Sequence, residues 1–319
     1  MKTAIIGAGI MGSTLGSFLT EAGAKDVWLV DPFKAHIDAI NERGLDVIGY
    51  SGKQWVKTEN TYRIKAVYTP DQIGETVDYV FYCVKMPHLK EAIKQARCIS
   101  GEDTIHISLL NGIGSADVLL GEYDADHVAY GVVHGGGAIL EPGKLHRDFR
   151  PGVSEIIIGL ASKKPSEKLE KIAQLLSVTE CPFLVRENVD YDVWAKMINN
   201  CVGNSICAVT RMSLGTLFND LNAVELADKV EAEVRAVARA EGVEIPDTGK
   251  NLGKFPKEAQ HVPSTAQDVV HKKQTEIETI NGAVCDLGRK HGIPTPYNDC
   301  LTLLVKFIQA NYDTQVGVV

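Results

Sequence analysis

The sequence predicts an α/β protein, with an N-terminal doubly wound sheet over residues 1–186 and an all-helical C-terminal domain over 187–319. Three observations carry this expectation. Short runs rich in Val and Ile alternate with helical stretches through the first half, as in parallel strands joined by crossover helices. A glycine-rich turn, GAGIMG, ends the first of these runs and opens the first helix. After about Glu187 the strand signals stop, and long helical stretches follow, separated by punctuation such as GVEIP and HGIPTP.

In chain order, the strand-like runs are TAIIG, VWLVD, YVFYCV, TIHISLL, HVAYGVV, SEIIIGL and FLV. Helical patterns lie after Gly12, after Pro32, after Pro87 and over 166–176. The segment GGGAILEPGKLHRD reads as a loop or hairpin tip, too rich in glycine for regular structure. The boundary falls in CPFLVRENVD, and helices are expected over 188–209, 214–241, 264–291 and 295–312. No repeat with a period of 20–50 residues is visible, which argues against a solenoid.

The bulk composition narrows the function classes. A chain of 319 residues is long enough for two ordinary domains. Its 45% hydrophobic and 23% charged residues are those of a globular protein, and its net charge of −8 gives no reason to expect nucleic acid or an anionic membrane as partner. No apolar run approaches the roughly 20 residues needed to span a bilayer. The N-terminus, MKTAIIGAGIMG, lacks the features of a signal peptide. Cys83, Cys98, Cys181, Cys201, Cys207, Cys285 and Cys300 are odd in number and contain no CxxC pair. That pattern argues against a disulfide framework or a structural zinc site. Buried free thiols in a cytoplasmic protein, with no metal, are the expectation.

The turn Gly7-Ala8-Gly9-Ile10-Met11-Gly12 matches GxGxxG between a strand and a helix, and Asp31 ends the next strand. This is the dinucleotide-binding fingerprint. Gly7 permits the tight turn, Gly9 lets the backbone approach a pyrophosphate, and Gly12 lets helix and strand pack closely. The helix N-terminus offers N–H groups and its positive dipole end to the phosphates. An acidic Asp31 suits the ribose hydroxyls of NADH, whereas Lys34 lies close enough to leave NADPH open. Lys85 and Asn111 each follow a strand, where open α/β sheets place ligands. Turn chemistry accounts for Asn111 equally well, since it begins an Asn-Gly pair.

The segment YDVWAKMINNCVGN reads as helix, with Trp194, Met197, Ile198, Cys201 and Val202 on one arc. Lys196, Asn200 and Asn204 recur at i, i+4 and i+8, drifting about 40° per step in a 3.6-residue helix. A nearly uncharged helix with an ammonium and two amides in line suits a wall facing a cleft. A lysine reaching solvent, with amides capping a neighbouring loop, fits the helix pattern as well. A second helix is expected to open at PSTAQ, with Ser264 as N-cap and Gln267 completing a capping box. On it Glu276 falls among Val269, Ile280, Val284 and Leu287, so its carboxylate calls for a cation, with Lys196 the candidate.

Taken together, GAGIMG, CVK at Lys85, LLNGIG at Asn111, EPGKLHR, KMINNCVGN and PSTAQDVVHKKQTEIETINGAV resemble the ketopantoate reductases (2-dehydropantoate 2-reductases) over nearly the whole chain. The resemblance implies a Rossmann domain, then a helical domain, with a small 2-oxo acid bound in the cleft between them. It implies Lys196 as proton donor to the carbonyl, aided by Glu276. It also implies that Asn200, Asn204 and Ser264 hold the substrate's hydroxyl and carboxylate, and that Asn111 touches substrate and nicotinamide. Lys85 would lie near the coenzyme, and Ala138, in the glycine-rich loop, would line the nicotinamide pocket. Two departures stand out: Leu214 precedes Gly215 where some members carry Asn, and Asp31 stands where NADPH users carry a basic residue. Both fit a relative acting as an NAD-dependent D-2-hydroxyacid dehydrogenase on a more apolar substrate. A dinucleotide sensor without turnover is the competing class, and a homodimer is left open.

Overall fold

The computed structural model describes residues 1–51, 56–149, 152–180, 182–246 and 251–315. Cys181 lies outside them; Cys201, Cys207 and Cys285 are buried as expected, whereas Cys83 is half-buried and Cys98 and Cys300, on the outer sides of their helical segments, are exposed. The chain divides into two compact units: Met1–Leu110 with Ser115–Val189, and Asn111–Gly114 with Asp190–Val319.

The first unit runs β1 (Lys2–Ile6), α1 (Ile10–Glu21), β2 (Asp26–Val30), α2 (Lys34–Arg43), β3 (Leu45–Ser51), β4 (Val56–Tyr62) and β5 (Lys65–Val67). It continues with β6 (Val77–Tyr82), α3 (Met86–Ala96), β7 (Ser100–Ser108), α4 (Ser115–Leu120) and β8 (Val128–His134). β9 (Gly136–Glu141), β10 (Lys144–Asp148), β11 (Glu155–Leu160), α5 (Glu167–Leu176) and β12 (Phe183–Val185) complete it. Among the described residues the main sheet has eight strands, in the order β12-β11-β8-β7-β6-β1-β2-β5. Its neighbours pair in parallel except β11 against β8.

Alternate side chains of the central strands serve opposite faces, as the two-residue period of a strand requires. Ile5, Leu29, Phe81 and Ile107 join Leu15 and Phe18 of α1 and Leu169 and Ile172 of α5 in one core. Ala4, Ile6, Val80 and Tyr82 join Leu89 and Ile93 of α3 and Leu119 of α4 in the other. Burial on both faces explains why these strands read as continuous apolar runs.

A second sheet, β4-β3-β10-β9, corrects the reading of residues 135–148 as a loop or hairpin tip without regular structure. β9 and β10 form an antiparallel hairpin, and β10 pairs in parallel with β3. Glycine serves close approach here: a Cβ on Gly137 would lie 2.3 Å from the His146 carbonyl oxygen. Ala138 therefore sits on a strand, opposite His146, and not in a loop.

The helical unit holds α6 (Asp190–Asn199), a π turn (Asn200–Asn204), α7 (Ser205–Thr210), α8 (Leu214–Leu217) and α9 (Leu221–Ala240). α10 (Ser264–Val270), α11 (Asn281–His291) and α12 (Pro296–Ala310) follow. Its core gathers Met197, Ile198, Val202, Val230, Val234, Ile280, Val284 and Val305. The helix expected over 214–241 is interrupted, because the Asp220 carboxylate caps α9 through the Asn222 and Ala223 N–H groups, each at 3.0 Å. The helix expected over 264–291 is also two helices. Lys272 takes a left-handed φ of 54°, which ends α10, and Glu276 lies in the connecting segment. Pro263, not Ser264, is the N-cap of α10, and the Gln267 amide donates to the Val262 carbonyl at 2.8 Å.

Candidate active site

The glycine turn of the first unit is built from backbone. Gly7 has φ 98°, and its N–H donates to the Val30 carbonyl at 2.8 Å, tying the turn to β2. A Cβ on Gly12 would fall 1.8 Å from the Gly7 carbonyl oxygen, so no side chain fits where α1 crosses the turn. A Cβ on Gly9 would meet nothing within 4 Å. That open side, beside first-turn N–H groups that a helix leaves without internal partners, fits a pyrophosphate. Ala8 is buried, Met11 is half-buried, and Ile10 is exposed.

Asp31 closes the turn from β2. One carboxylate oxygen accepts the Ala8 N–H at 2.8 Å and the other the Phe33 N–H at 2.9 Å. His36 supports the same turn, and the sequence reading missed it. Its Nδ1 accepts the Gly143 N–H at 3.0 Å, which leaves the proton on Nε2, 3.2 Å from Ser13 Oγ. Ser13 Oγ in turn donates to the Ala8 carbonyl at 2.8 Å. Burial holds the imidazole below its ordinary range, while Asp31 opposes that shift. The available signal was a histidine one residue before Ile37 on the apolar side of α2. Lys85, half-buried, is the N-cap residue of α3 just beyond β6.

In the helical unit the polar side chains meet in a row. The Lys196 ammonium donates to Asn111 Oδ1 at 2.6 Å, and Asn111 Nδ2 donates to Glu276 Oε2 at 3.2 Å. The cation and the carboxylate together fix which way the amide points. Burial pushes the Lys196 pKa down to about 8, and the negative charge of Glu276 works against that shift. The residues carrying Asn111 are anchored next to Glu276. The Ile113 N–H donates to the Thr279 carbonyl at 3.0 Å, and Gly112, at φ 91°, lies where a Cβ would be 2.2 Å from that oxygen.

Further along, Asn204 Nδ2 donates to Ser264 Oγ at 3.4 Å. Ser264 is available for this because it does not cap α10. Asn200 is half-buried, and its amide has no hydrogen-bond partner among the described residues. Leu214 packs on the π turn, its Cδ2 3.0 Å from where a Cβ on Gly203 would stand.

The family domain described as ketopantoate reductase PanE/ApbA matches residues 3–162, and its C-terminal counterpart matches 188–309. The chain belongs to the ketopantoate reductase family. It is an oxidoreductase of that family, and the 2-dehydropantoate 2-reductase of Streptococcus pyogenes is 30% identical over 319 residues, covering 99% of this chain and 100% of the relative. The enzyme of the same name from Aquifex aeolicus is 28% identical, covering 96% of each chain. Among solved structures, the ternary structure of D-mandelate dehydrogenase with NADH and anilino(oxo)acetate aligns at a TM-score of 0.87 and 25% identity, covering 99% of this chain and 100% of that one. A PanE/ApbA family ketopantoate reductase from Ralstonia eutropha aligns at a TM-score of 0.83 and 29% identity, covering 97% and 99%. Among the described residues, no helix of this reductase is long and apolar enough to cross a membrane.

Proposed function

We propose that this reductase converts a small 2-oxo acid to the D-2-hydroxy acid, with NADH as the preferred coenzyme. The observation that carries the reading is the Lys196–Asn111–Glu276 row. When bound, the coenzyme supplies the hydride that adds to the substrate's C2 carbonyl carbon. Negative charge then builds on the carbonyl oxygen, and the Lys196 ammonium stabilises it and delivers the proton. A lysine whose pKa is about 8 is still mostly protonated near neutrality, yet gives up its proton more readily than an ordinary lysine. Asn111 orients the ammonium from one side, and Glu276 holds the amide and helps keep Lys196 charged. Asn200, Asn204 and Ser264 provide amide and hydroxyl groups for the substrate's carboxylate and hydroxyl, orienting it without competing for the proton.

For the coenzyme, the turn from Gly7 to Gly12 receives the pyrophosphate and Asp31 receives the adenosine ribose. From the family likeness, Asn111 and Ala138 are assigned to the nicotinamide side and Lys85 to the neighbourhood of the coenzyme. A second reading, an NAD-linked D-2-hydroxyacid dehydrogenase acting on a more apolar acid than ketopantoate, is favoured by Leu214 on the π turn and by the likeness to D-mandelate dehydrogenase. A spectrophotometric screen of ketopantoate, aliphatic and aromatic 2-oxo acids with NADH and NADPH tests both. Turnover of ketopantoate above the others supports the first reading, and aromatic or long-chain preference supports the second. Coenzyme binding without turnover of any 2-oxo acid would establish a sensor instead.

A further inference from the structure

The π turn Asn200–Asn204 carries two of the amides assigned to substrate, and buried side chains hold it from behind. The Cys201 carbonyl inside the turn accepts hydrogen bonds from Ser205 Oγ and from Asn281 Nδ2, the latter at 3.1 Å. The second Nδ2 hydrogen of Asn281 reaches Asn298 Oδ1 at 2.9 Å. Asn298 donates its own amide hydrogens to Glu233 Oε2 at 2.7 Å and to the Val230 carbonyl at 3.3 Å. The Glu233 carboxylate also takes the Tyr297 and Asn298 N–H groups, each at 2.9 Å, at the start of α12.

This chain of bonds has a direction. A carboxylate only accepts, so Glu233 forces Asn298 to turn its NH2 inward and its Oδ1 towards Asn281. Asn281 must then present NH2, which is what Cys201 O needs. Asn281 and Asn298 are both 0% exposed, and Asn281 Oδ1 has no partner among the described residues. A buried amide left half-satisfied costs stability, so packing alone gives no reason for asparagine here.

The turn matters because it resets the phase of the helix. In a regular helix residues four apart overshoot a full turn by about 40°. In a turn closed by i→i+5 bonds they fall short of one instead. The overshoot from Lys196 to Asn200 is therefore offset between Asn200 and Asn204, which keeps the three polar side chains on one line. We propose that Asn281 is a positioning residue for the 2-oxo acid: by occupying Cys201 O it holds the wide turn that aligns Asn204 with Asn200 and Lys196. The inference rests on the functional reading above.

The test compares Asn281→Ala and the milder Asn281→Ser, which keeps a donor, with Val305→Ala, which removes buried packing from α12 but no hydrogen bond to the turn. In the Asn281→Ala enzyme the KM for the 2-oxo acid should rise about tenfold, the effect of roughly one lost hydrogen bond. Asn281→Ser should fall between it and the wild type. The coenzyme KM and the pH limb set by Lys196 should not move. Amide hydrogen exchange over residues 200–204 should accelerate in the Asn281 variants and not in Val305→Ala. A KM rise no larger than in Val305→Ala overturns the proposal, as does unchanged exchange over the turn. Failure of the wild-type enzyme to reduce any 2-oxo acid would sink the functional reading instead, and the exchange comparison would still decide whether Asn281 holds the turn.

Discussion

The two units offer their chemistry in different materials. In the first, a run of six residues shapes a backbone surface, and what matters at Gly7 and Gly12 is the absence of a side chain. In the helical unit the functional groups are side-chain termini: an ammonium on α6, an amide from residues 111–114 and a carboxylate from the segment between α10 and α11. A backbone-built site tolerates varied side chains at the exposed Ile10 but no extra carbon at Gly12. A side-chain-built site tolerates changes in chain path, including a break in the expected helix at Glu276, but not the loss of one functional group.

That contrast is open to attack at both ends. Lys196→Ala should lower kcat by roughly 10²- to 10⁴-fold, the usual range for a positioned general acid, while leaving coenzyme affinity nearly intact. Near wild-type turnover in this variant would remove Lys196 from the chemistry. For Gly12→Ala, calorimetry and coenzyme titration should show the reverse: coenzyme affinity lost, and stability reduced by about 1–3 kcal/mol or more through overpacking. Intact coenzyme binding there would mean that the turn relaxes easily and is not a tightly specified surface.

Coenzyme choice sharpens the first half of the comparison. A 2′-phosphate beside the Asp31 carboxylate would bring like charges together, and about 1–3 kcal/mol of repulsion corresponds to roughly 5- to 150-fold in favour of NADH. Ratios of kcat/KM for the two coenzymes measure this directly, and a preference for NADPH would show that Asp31 does not face the ribose. Asn200→Ala sharpens the second half: the substrate KM should rise about tenfold for one hydrogen bond, and unchanged kinetics would return Asn200 to a structural role.

The smallest expected effect is on pH dependence. Burial lowers the Lys196 pKa to about 8 against the opposing charge of Glu276. Removing that charge in Glu276→Gln leaves the burial effect unopposed, so Lys196 loses its proton at lower pH. In the proposed mechanism reduction requires the protonated form, so the alkaline limb of the rate profile should move towards neutrality. A limb that stays in place would show that Glu276 acts only through Asn111.

What could be read from the sequence follows the same divide. The glycine turn and the apolar strands are local patterns, and the turn, β1, β6 and β8 appear where they were expected. The second sheet was not legible, because β3 pairs with β10 from far along the chain and Gly137 disguises a strand as a loop. Lys196 and Glu276 were expected as direct partners, whereas Asn111 bridges them, and no spacing rule links residues so far apart. The left-handed Lys272 interrupts what reads as one amphipathic helix. The π turn leaves no trace in a period of 3.6, since Asn200 and Asn204 look properly spaced without it.

Residues 111–114 group with the helical unit although the chain on either side of them belongs to the other. This has a consequence for the order of assembly during synthesis. Asn111 emerges early, but its bond to Lys196 spans 85 positions and its bond to Glu276 spans 165. Contacts this distant in sequence form late, after the entropy of closing long loops has been overcome. The first unit can therefore fold while the chain is still being made, with the Asn-Gly corner waiting for residues not yet translated. Produced as a separate fragment, residues 190–319 would carry the ammonium and the carboxylate without the amide that bridges them.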